Sequence, residues 1–540
     1  MSNSGDLSNQ PPAAEPVTFA VGGTQPPLPP EGTAFPPATP PRKRGVGVGL
    51  AAGAVALALV AGGAVWAVSA MNSDEAGQPE SMVPASAIGF ADVDFDPPAG
   101  QKLAAYRYLQ KFPKVGGGSG EGDLLGQIVG GALKADPSSG VNYETDVKPW
   151  LGKRAGIAAV PATAGATDKE PQPLLVLQVT DEDKARTSLR ALLDKAKSSE
   201  AASTGTAALL PTDTDEQLQG LVVRDGWALI GPDQAATEAM STAAAEADLG
   251  GSATFTDDHD KLGGDAVVTT WVDVTAVTKA IEDSGAADEF TAGFGTFTGS
   301  ATQGRFVASL RFDGNTAVVS ARQFGGKPST IANTAPGGPL VAKLPAGTTA
   351  GIGVGNASAT VAEMYDQLVG SAGGALVRDQ VKQATGLNLP TDLQDLVGDA
   401  FVVSVGDVNA ANPQFAARVR TADAAASRRV FDTVVGLLDQ PGIGAVPRPI
   451  TVPAADGVVY ALSPGYGALV AKDGTLGESA GFKAALPDAA TAGIAVYVDL
   501  AKLAALDADT AADLGPLSVL GLSATTEGSD STMTVRLVAK

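Results

Sequence analysis

Between Arg44 and Asp74 the chain carries no charged side chain, and Ser69 is the only polar one before Asn72. No other stretch limits the fold so strongly. About 20 apolar residues rising 1.5 Å each cross a hydrocarbon core of roughly 30 Å, so residues 45–71 read as one transmembrane helix. Arg42, Lys43 and Arg44 precede it, and Asp74 and Glu75 come after it. The positive-inside rule then places residues 1–44 in the cytoplasm and the chain from about Asn72 onward outside. A cleaved signal peptide is the rival, since Val68-Ser69-Ala70 is a passable cleavage pattern. A signal core is shorter and lacks so long a leader, so a retained anchor is the expectation. Gly49 and Gly53 have helix-dimer spacing, but in a segment this rich in Gly and Ala such spacing arises by chance.

Residues 1–44 hold Asp6, Glu15 and Glu31 against three cations, so the formal charge of -22 belongs to the outer part. An acidic exterior repels nucleic acid and anionic head groups, and no nucleic-acid partner is expected. The chain of 540 residues has no cysteine. Disulfides, thiolate metal sites, cysteine nucleophiles and lipid-modified cysteines are therefore excluded, and the outer domains must hold together by core packing. The leader carries repeated Pro-Pro pairs and no apolar period, which reads as a disordered tail. Read functionally, it would be a docking or phosphorylation tail, with Thr39 before Pro40 as one candidate.

Internal repetition organises the rest. Thr145-Asp146-Val147-Lys148-Pro149-Trp150-Leu151-Gly152 reads against Thr391-Asp392-Leu393-Gln394-Asp395-Leu396-Val397-Gly398. Strands at 155–160 and 400–405 come next, then strand and helix at 174–180 and 181–195 against 415–421 and 422–438. After these stand Gly-aromatic strands at 226–230 and 465–470, helices opened by Phe255 and Phe482, strands at 267–273 and 494–499, and closing strands at 304–323 and 517–538. The expected organisation is a leader (1–44), a transmembrane helix (45–71), a spacer (72–81), a first repeat (82–325), a linker (326–338) and a second repeat (339–540). Strands cluster with helices between them, so the fold class is α+β: two diverged tandem copies of a mixed, mostly antiparallel sheet with helices. Four apolar strands end in Asp94, Asp273, Asn356 and Asp499, each before a helical run, and helix N-capping accounts for all four.

At VPASAIGFADVD, at the Phe that opens each short helix, and at Tyr497-Val498-Asp499, the chain resembles the DUF3352 family of bacterial envelope proteins. The resemblance covers most of residues 82–540 and the layout of leader and anchor. It implies an envelope protein and carries over no catalytic residue.

Chemistry-bearing motifs are scarce. The single histidine, His259, lies in Asp257-Asp258-His259-Asp260. That run lacks the alternate oxygen ligands and glycine turn of a calcium loop and reads as a solvated acidic helix face. The Gly-rich stretch 116–122 has no preceding strand and no following Lys-Ser/Thr, so it reads as a surface loop. Asn356-Ala357-Ser358 reads as a chance sequon. No catalytic, cofactor-binding or metal residue is nominated, and no cofactor is expected. The expected function is a membrane-anchored extracytoplasmic binding or scaffold protein without catalysis. Its partner would be an envelope protein, peptide, lipid or wall fragment. An envelope hydrolase using paired carboxylates and a lipid-binding carrier are the alternatives.

Overall fold

A computed structural model describes residues 77–112, 142–162, 171–198, 218–284, 303–326, 335–369, 374–408, 414–438, 448–506 and 514–540. The leader, the apolar run 45–71 and the Gly-rich stretch 116–122 lie outside the described residues. Among those described, no helix is long and apolar enough to cross a membrane.

The strands are β1 (Gly89–Asp94), β2 (Leu151–Val160), β3 (Gln172–Val179), β4 (Gly220–Arg224), β5 (Trp227–Gly231), β6 (Val268–Asp273), β7 (Arg305–Asp313) and β8 (Thr316–Phe324). They continue with β9 (Ala350–Gly355), β10 (Ala400–Val405), β11 (Phe415–Arg420), β12 (Ile450–Ala454), β13 (Gly457–Ala461), β14 (Ile494–Asp499), β15 (Leu517–Glu527) and β16 (Asp530–Ala539). They form one sheet in the order β12-β13-β11-β10-β9-β14-β15-β16-β8-β7-β6-β1-β2-β3-β5-β4. Every pairing between them is antiparallel. The fold is α+β with a large antiparallel sheet. The order has the same form counted from either edge, and the two halves meet where β8 pairs with β16, from Thr316↔Val538 to Gln323↔Ser531.

Strand side chains alternate between faces, so each strand feeds two cores. On the front face Phe90, Trp271, Leu229 and Val307 pack beneath α3 (Gln234–Glu246) and α4 (Ala253–Asp260), which supply Met240 and Phe255. In the other half Tyr497, Val402 and Val519 pack beneath α6 (Gly338–Ala342), α11 (Pro464–Val470) and α12 (Ala480–Ala485). The back face is covered by α1 (Ala99–Leu109), α2 (Glu182–Ser198), α5 (Val274–Ser284) and α10 (Ala424–Leu438). Between α6 and α10 lie α7 (Ala357–Val369), α8 (Gly374–Thr385) and α9 (Thr391–Val397), and α13 (Leu500–Ala504) comes directly after β14.

Strand β9 shows how sequence sets one of these contacts. It alternates Gly351, Gly353 and Gly355 toward the front with aliphatic residues toward the back. An added Cβ on Gly353 would lie 2.4 Å from the Gly337 carbonyl oxygen, and one on Gly355 2.3 Å from that of Ala335. The missing side chains let the chain entering α6 lie against the strand.

One strand assignment is corrected. Residues 465–470 are not a Gly-aromatic strand but part of α11, and the strand that matches β5 in position is β13. Pro464 stands in the first turn of α11, where its fixed φ and missing N–H suit a helix start. The better signal was Asp-Gly: Asp225 and Gly226 both have positive φ (53° and 77°), as the tight hairpin between β4 and β5 requires, and Asp456-Gly457 stands at the β12–β13 turn.

Both sheet edges carry features that hinder further pairing. On β4 the Leu221 N–H donates to Gln234 Oε1 at 3.1 Å, and Gln234 Nε2 donates to the Leu221 carbonyl at 3.2 Å. Arg186 Nη2 donates to the Val223 carbonyl at 3.2 Å. On β12, Pro453 offers no N–H. Replacing Gln234→Ala strips two backbone groups of their partners. It is expected to cost about 1–2 kcal/mol in denaturant unfolding and to raise aggregation; unchanged stability and solubility would show that the amide does not protect the edge.

Candidate functional site

Two regions can carry chemistry or binding, and each begins with a strand pattern. The first is the polar end of β1. Asp92 and Asp94 alternate with Ala91 and Val93, so both carboxylates share the front face with Phe90. Thr269, opposite Asp92 on β6, donates its hydroxyl to Asp92 Oδ1. Burial pushes Asp92 up to about 7, the neighbouring charges of Glu80 and Asp94 add to this, and the Thr269 bond and Arg154 oppose it. Burial also raises Glu80 and Asp94, with Arg154 pulling each back. Arg154 lies 3.7 Å from Asp94, Lys153 lies 3.1 Å from Asp96, and Lys102 of α1 also pairs with Asp96. These cations tie β1, β2 and the start of α1 together.

The cluster answers the carboxylate reading in part. Two acids with raised pKa, Glu80 and Asp92, do come close enough for one charge to act on the other. The ties to Thr269, Arg154, Lys153 and Lys102 give the cluster the character of a cross-link between elements. Linkage fixes the sign of its effect on stability. An acid whose pKa is raised on folding favours the fold in full below its ordinary value, and that contribution is lost as pH rises through about 7. Asp92→Asn keeps an acceptor for Thr269 without the charge. It is expected to stabilise the protein at pH 8 by an amount on the order of 1–2 kcal/mol and to be neutral near pH 4. Thermal unfolding at the two pH values checks this, and equal effects at both would refute the assignment.

The Asp257–Asp260 run divides. Asp257 and Asp260 are exposed, as a solvated helix face requires, but Asp258 is fully buried. Phe255 and Asp258 are three residues apart and share the face of α4 turned to the sheet. Asp258 accepts from Trp271 Nε1 at 3.2 Å and from the Arg305 guanidinium through both oxygens. His259 lies against the Phe255 ring at 5.7 Å, and burial lowers its pKa. Removing one partner of a buried ion pair strands the other, so Asp258→Ala is expected to cost about 3–5 kcal/mol in denaturant unfolding; a loss under 1 kcal/mol would show the pair to be solvated.

Of the four strand-ending residues, two cap helices: Asp273 accepts from the Ala276 N–H and Asp499 from the Lys502 N–H. Asn356, at φ 48°, instead accepts from the Ala335 N–H, and Asp94 accepts from the Asp96 N–H in a turn before α1.

The second region is the back face of β16, β15, β14, β9, β10 and β11. Register places Val535, Leu522, Val496, Ile352, Val403 and Ala417 in one row across these strands. The row on one side is Leu537, Leu520, Val498, Ala350, Val405 and Phe415, and on the other Met533, Ala524, Ile494, Val354, Phe401 and Val419. None of these side chains is polar. Strands about 4.8 Å apart make the face about 24 Å wide. In the opposite half α1 lies across β7 and β8 and seals Val268, at the start of β6, to 5 % exposure. Ile494 holds the same place at the start of β14 and is 42 % exposed, and Ile352 beside it is 46 % exposed. Val419 and Phe401 at one end of this area lie under α10, Met533 and Leu537 at the other reach the clusters under α5 and α1, and α13 contacts β15. The helix after β9, α7, packs mainly on α9 and α8, and among the described residues the exposed part is centred on Ile494 and Ile352. Soluble proteins rarely expose contiguous apolar patches beyond a few hundred Å², and those that do use them to bind.

No residue of this face was nominated from sequence. The available signal was the Gly-aliphatic alternation of β9, which marks one face for close backbone approach and the other for bulk. That the bulky face stays uncovered depends on where α7 packs, which no local pattern encodes.

Fold and face together define a class: a broad antiparallel α+β sheet with helices on both sides and, among the described residues, an exposed apolar area around Ile352 and Ile494. The chain belongs to the DUF3352 family, whose model, described as "Protein of unknown function (DUF3352)", matches residues 50–440. The match begins inside the apolar run 45–71 and ends just past α10. No curated protein and no solved structure matches the chain.

Proposed function

We propose that the protein is a membrane-anchored extracytoplasmic binding or scaffold protein of the bacterial cell envelope, acting without catalysis, and that the open back face around Ile352 and Ile494 is its binding surface. The exposure of these two residues in an otherwise hydrocarbon face is the observation that carries the reading. The uncharged run 45–71 behind Arg42-Lys43-Arg44 supports the anchor and its orientation. The strand order, alike from both edges, supports two diverged tandem copies, about 82–325 and 339–540, fused through β8 and β16. On this reading α1 seals the place of Val268 in one copy, and the corresponding place at Ile494 in the other stays exposed.

The raised carboxylates Asp92 and Glu80 favour a second reading, acid–base hydrolysis, which Asp92→Asn with an envelope-extract activity screen addresses. The absence of cysteine makes the topology simple to test. In intact cells a membrane-impermeant maleimide is expected to label Asp183→Cys, on exposed α2, and to reach Ser4→Cys only after lysis. Labelling of Ser4→Cys in intact cells, or release of the protein from membranes by alkaline wash, would overturn the anchored reading.

A further inference from the structure

We infer that the front of the seam between β8 and β16 binds a glycan bearing spaced carboxylates. This surface is separate from the one around Ile352 and Ile494 and does not depend on it. Register sets Ser309, Ser320, Thr534 and Ser523 side by side in one row across β7, β8, β16 and β15. The row faces the front. Val307, two residues from Ser309, belongs to the front core of one half, and Ala495, paired with Ser523, to that of the other. Apolar side chains thus fill the front on both sides of the seam, and hydroxyls replace them along it. Strands about 4.8 Å apart make the row about 14 Å long, a span for an extended ligand and not for a single ion.

Two arginines flank the row. Arg322 lies two residues beyond Ser320 and Arg536 two beyond Thr534, so in antiparallel strands they stand on opposite sides of it and share its face. Each comes eight residues after the turn glycine of its hairpin, Gly314 or Gly528. Arg322 is exposed and pairs with no acid among the described residues. Arg536 donates from Nε to the Ala484 carbonyl at 2.8 Å and lies 3.3 Å from the exposed Asp313. The front helices stop short of this strip. On one side α4 lies over Phe90 and Trp271, and on the other α12 lies over Gly521, which has no Cβ to obstruct the Ala485 carbonyl. Between them Ser320, Thr534 and Ser523 are half-buried. At the β7 end Ser309 is 4 % exposed, and its hydroxyl has no hydrogen-bond partner among the described residues. A buried hydroxyl calls for a partner, and a hydroxyl-bearing ligand along the row supplies one.

The chemistry of the strip selects the ligand. Serine and threonine both donate and accept, which matches sugar hydroxyls. Guanidinium forks match carboxylates. The chain's charge of -22 repels dense polyanions, so the acids are singly charged and spaced apart.

The experiment titrates the full-length chain, in uncharged detergent at low salt, with a hyaluronan octasaccharide, which carries a carboxylate on alternate sugars. Calorimetry is expected to show saturable binding at least tenfold tighter than that of neutral maltohexaose. Arg322→Ala should weaken it about tenfold, the loss of one charged hydrogen bond, and Thr534→Val, nearly the same shape without the hydroxyl, about threefold. Lys382→Ala, which removes an exposed cation from α8, and the Ile352→Ser/Ile494→Ser double variant should leave it unchanged. Arg322 is exposed, so its variant decides the question even if Thr534→Val fails to fold. Absence of binding overturns the inference, as do equal affinities for the two oligosaccharides or equal losses in Lys382→Ala and Arg322→Ala. Tighter binding of polyphosphate shows unselective attraction of anions and overturns it too. Each of these failures leaves the back-face reading untouched. A loss in the isoleucine variant as large as that in Arg322→Ala moves the glycan to the back face and overturns the inference.

Discussion

The pairing of β8 with β16 joins chain segments more than two hundred residues apart, and the rest of the molecule takes its form from that ladder. Each half has an eight-strand order of its own, and each would end there in an unpaired strand rich in β-branched residues. Joining the two removes both edges at once and makes the backs of the halves one continuous surface. The helices then face a shared sheet. When α1 spreads over β7 and β8 it reaches the residues of β16, Leu537 and Ala539, and so takes part in covering the other half. Beyond it, among the described residues, Ile494 and Ile352 stay exposed.

Most strands were legible because they alternate or run apolar between turn residues. β2, β3, β6, β10, β11 and β14 fall where valine, isoleucine and alanine runs place them. The failure at 465–470 is instructive. Glycine, tyrosine and valine there resemble a strand in composition, yet Pro464 in the first turn starts a helix, and the Asp456-Gly457 turn already marks the hairpin. Local composition lost to turn chemistry. The capping pattern shows the same limit, since four similar strand ends place their carboxyl or amide groups in three different ways. The backbone path just beyond an aspartate decides whether it caps, and at Asp94 a proline-containing turn intervenes before the helix.

The candidate sites were less legible than the fold, for a physical reason. Asp92, Thr269, Arg154 and Glu80 come from four elements, and Asp258, Trp271 and Arg305 from three, so each cluster exists only once register is set. Asp258 in particular was indistinguishable in sequence from its solvated neighbours Asp257 and Asp260. Its burial results from one turn of α4 that aims Phe255 inward and brings Asp258 with it. The open face is an arrangement of ordinary aliphatic residues whose meaning lies in what fails to cover them.

The side-chain cap on β4 and the proline on β12 have a consequence for assembly. A sheet with free margins can grow by strand addition, so its copies risk ribbons and fibres. Here Gln234 and Arg186 occupy one lateral margin and Pro453 interrupts the other. That geometry lets a very wide sheet remain a discrete particle.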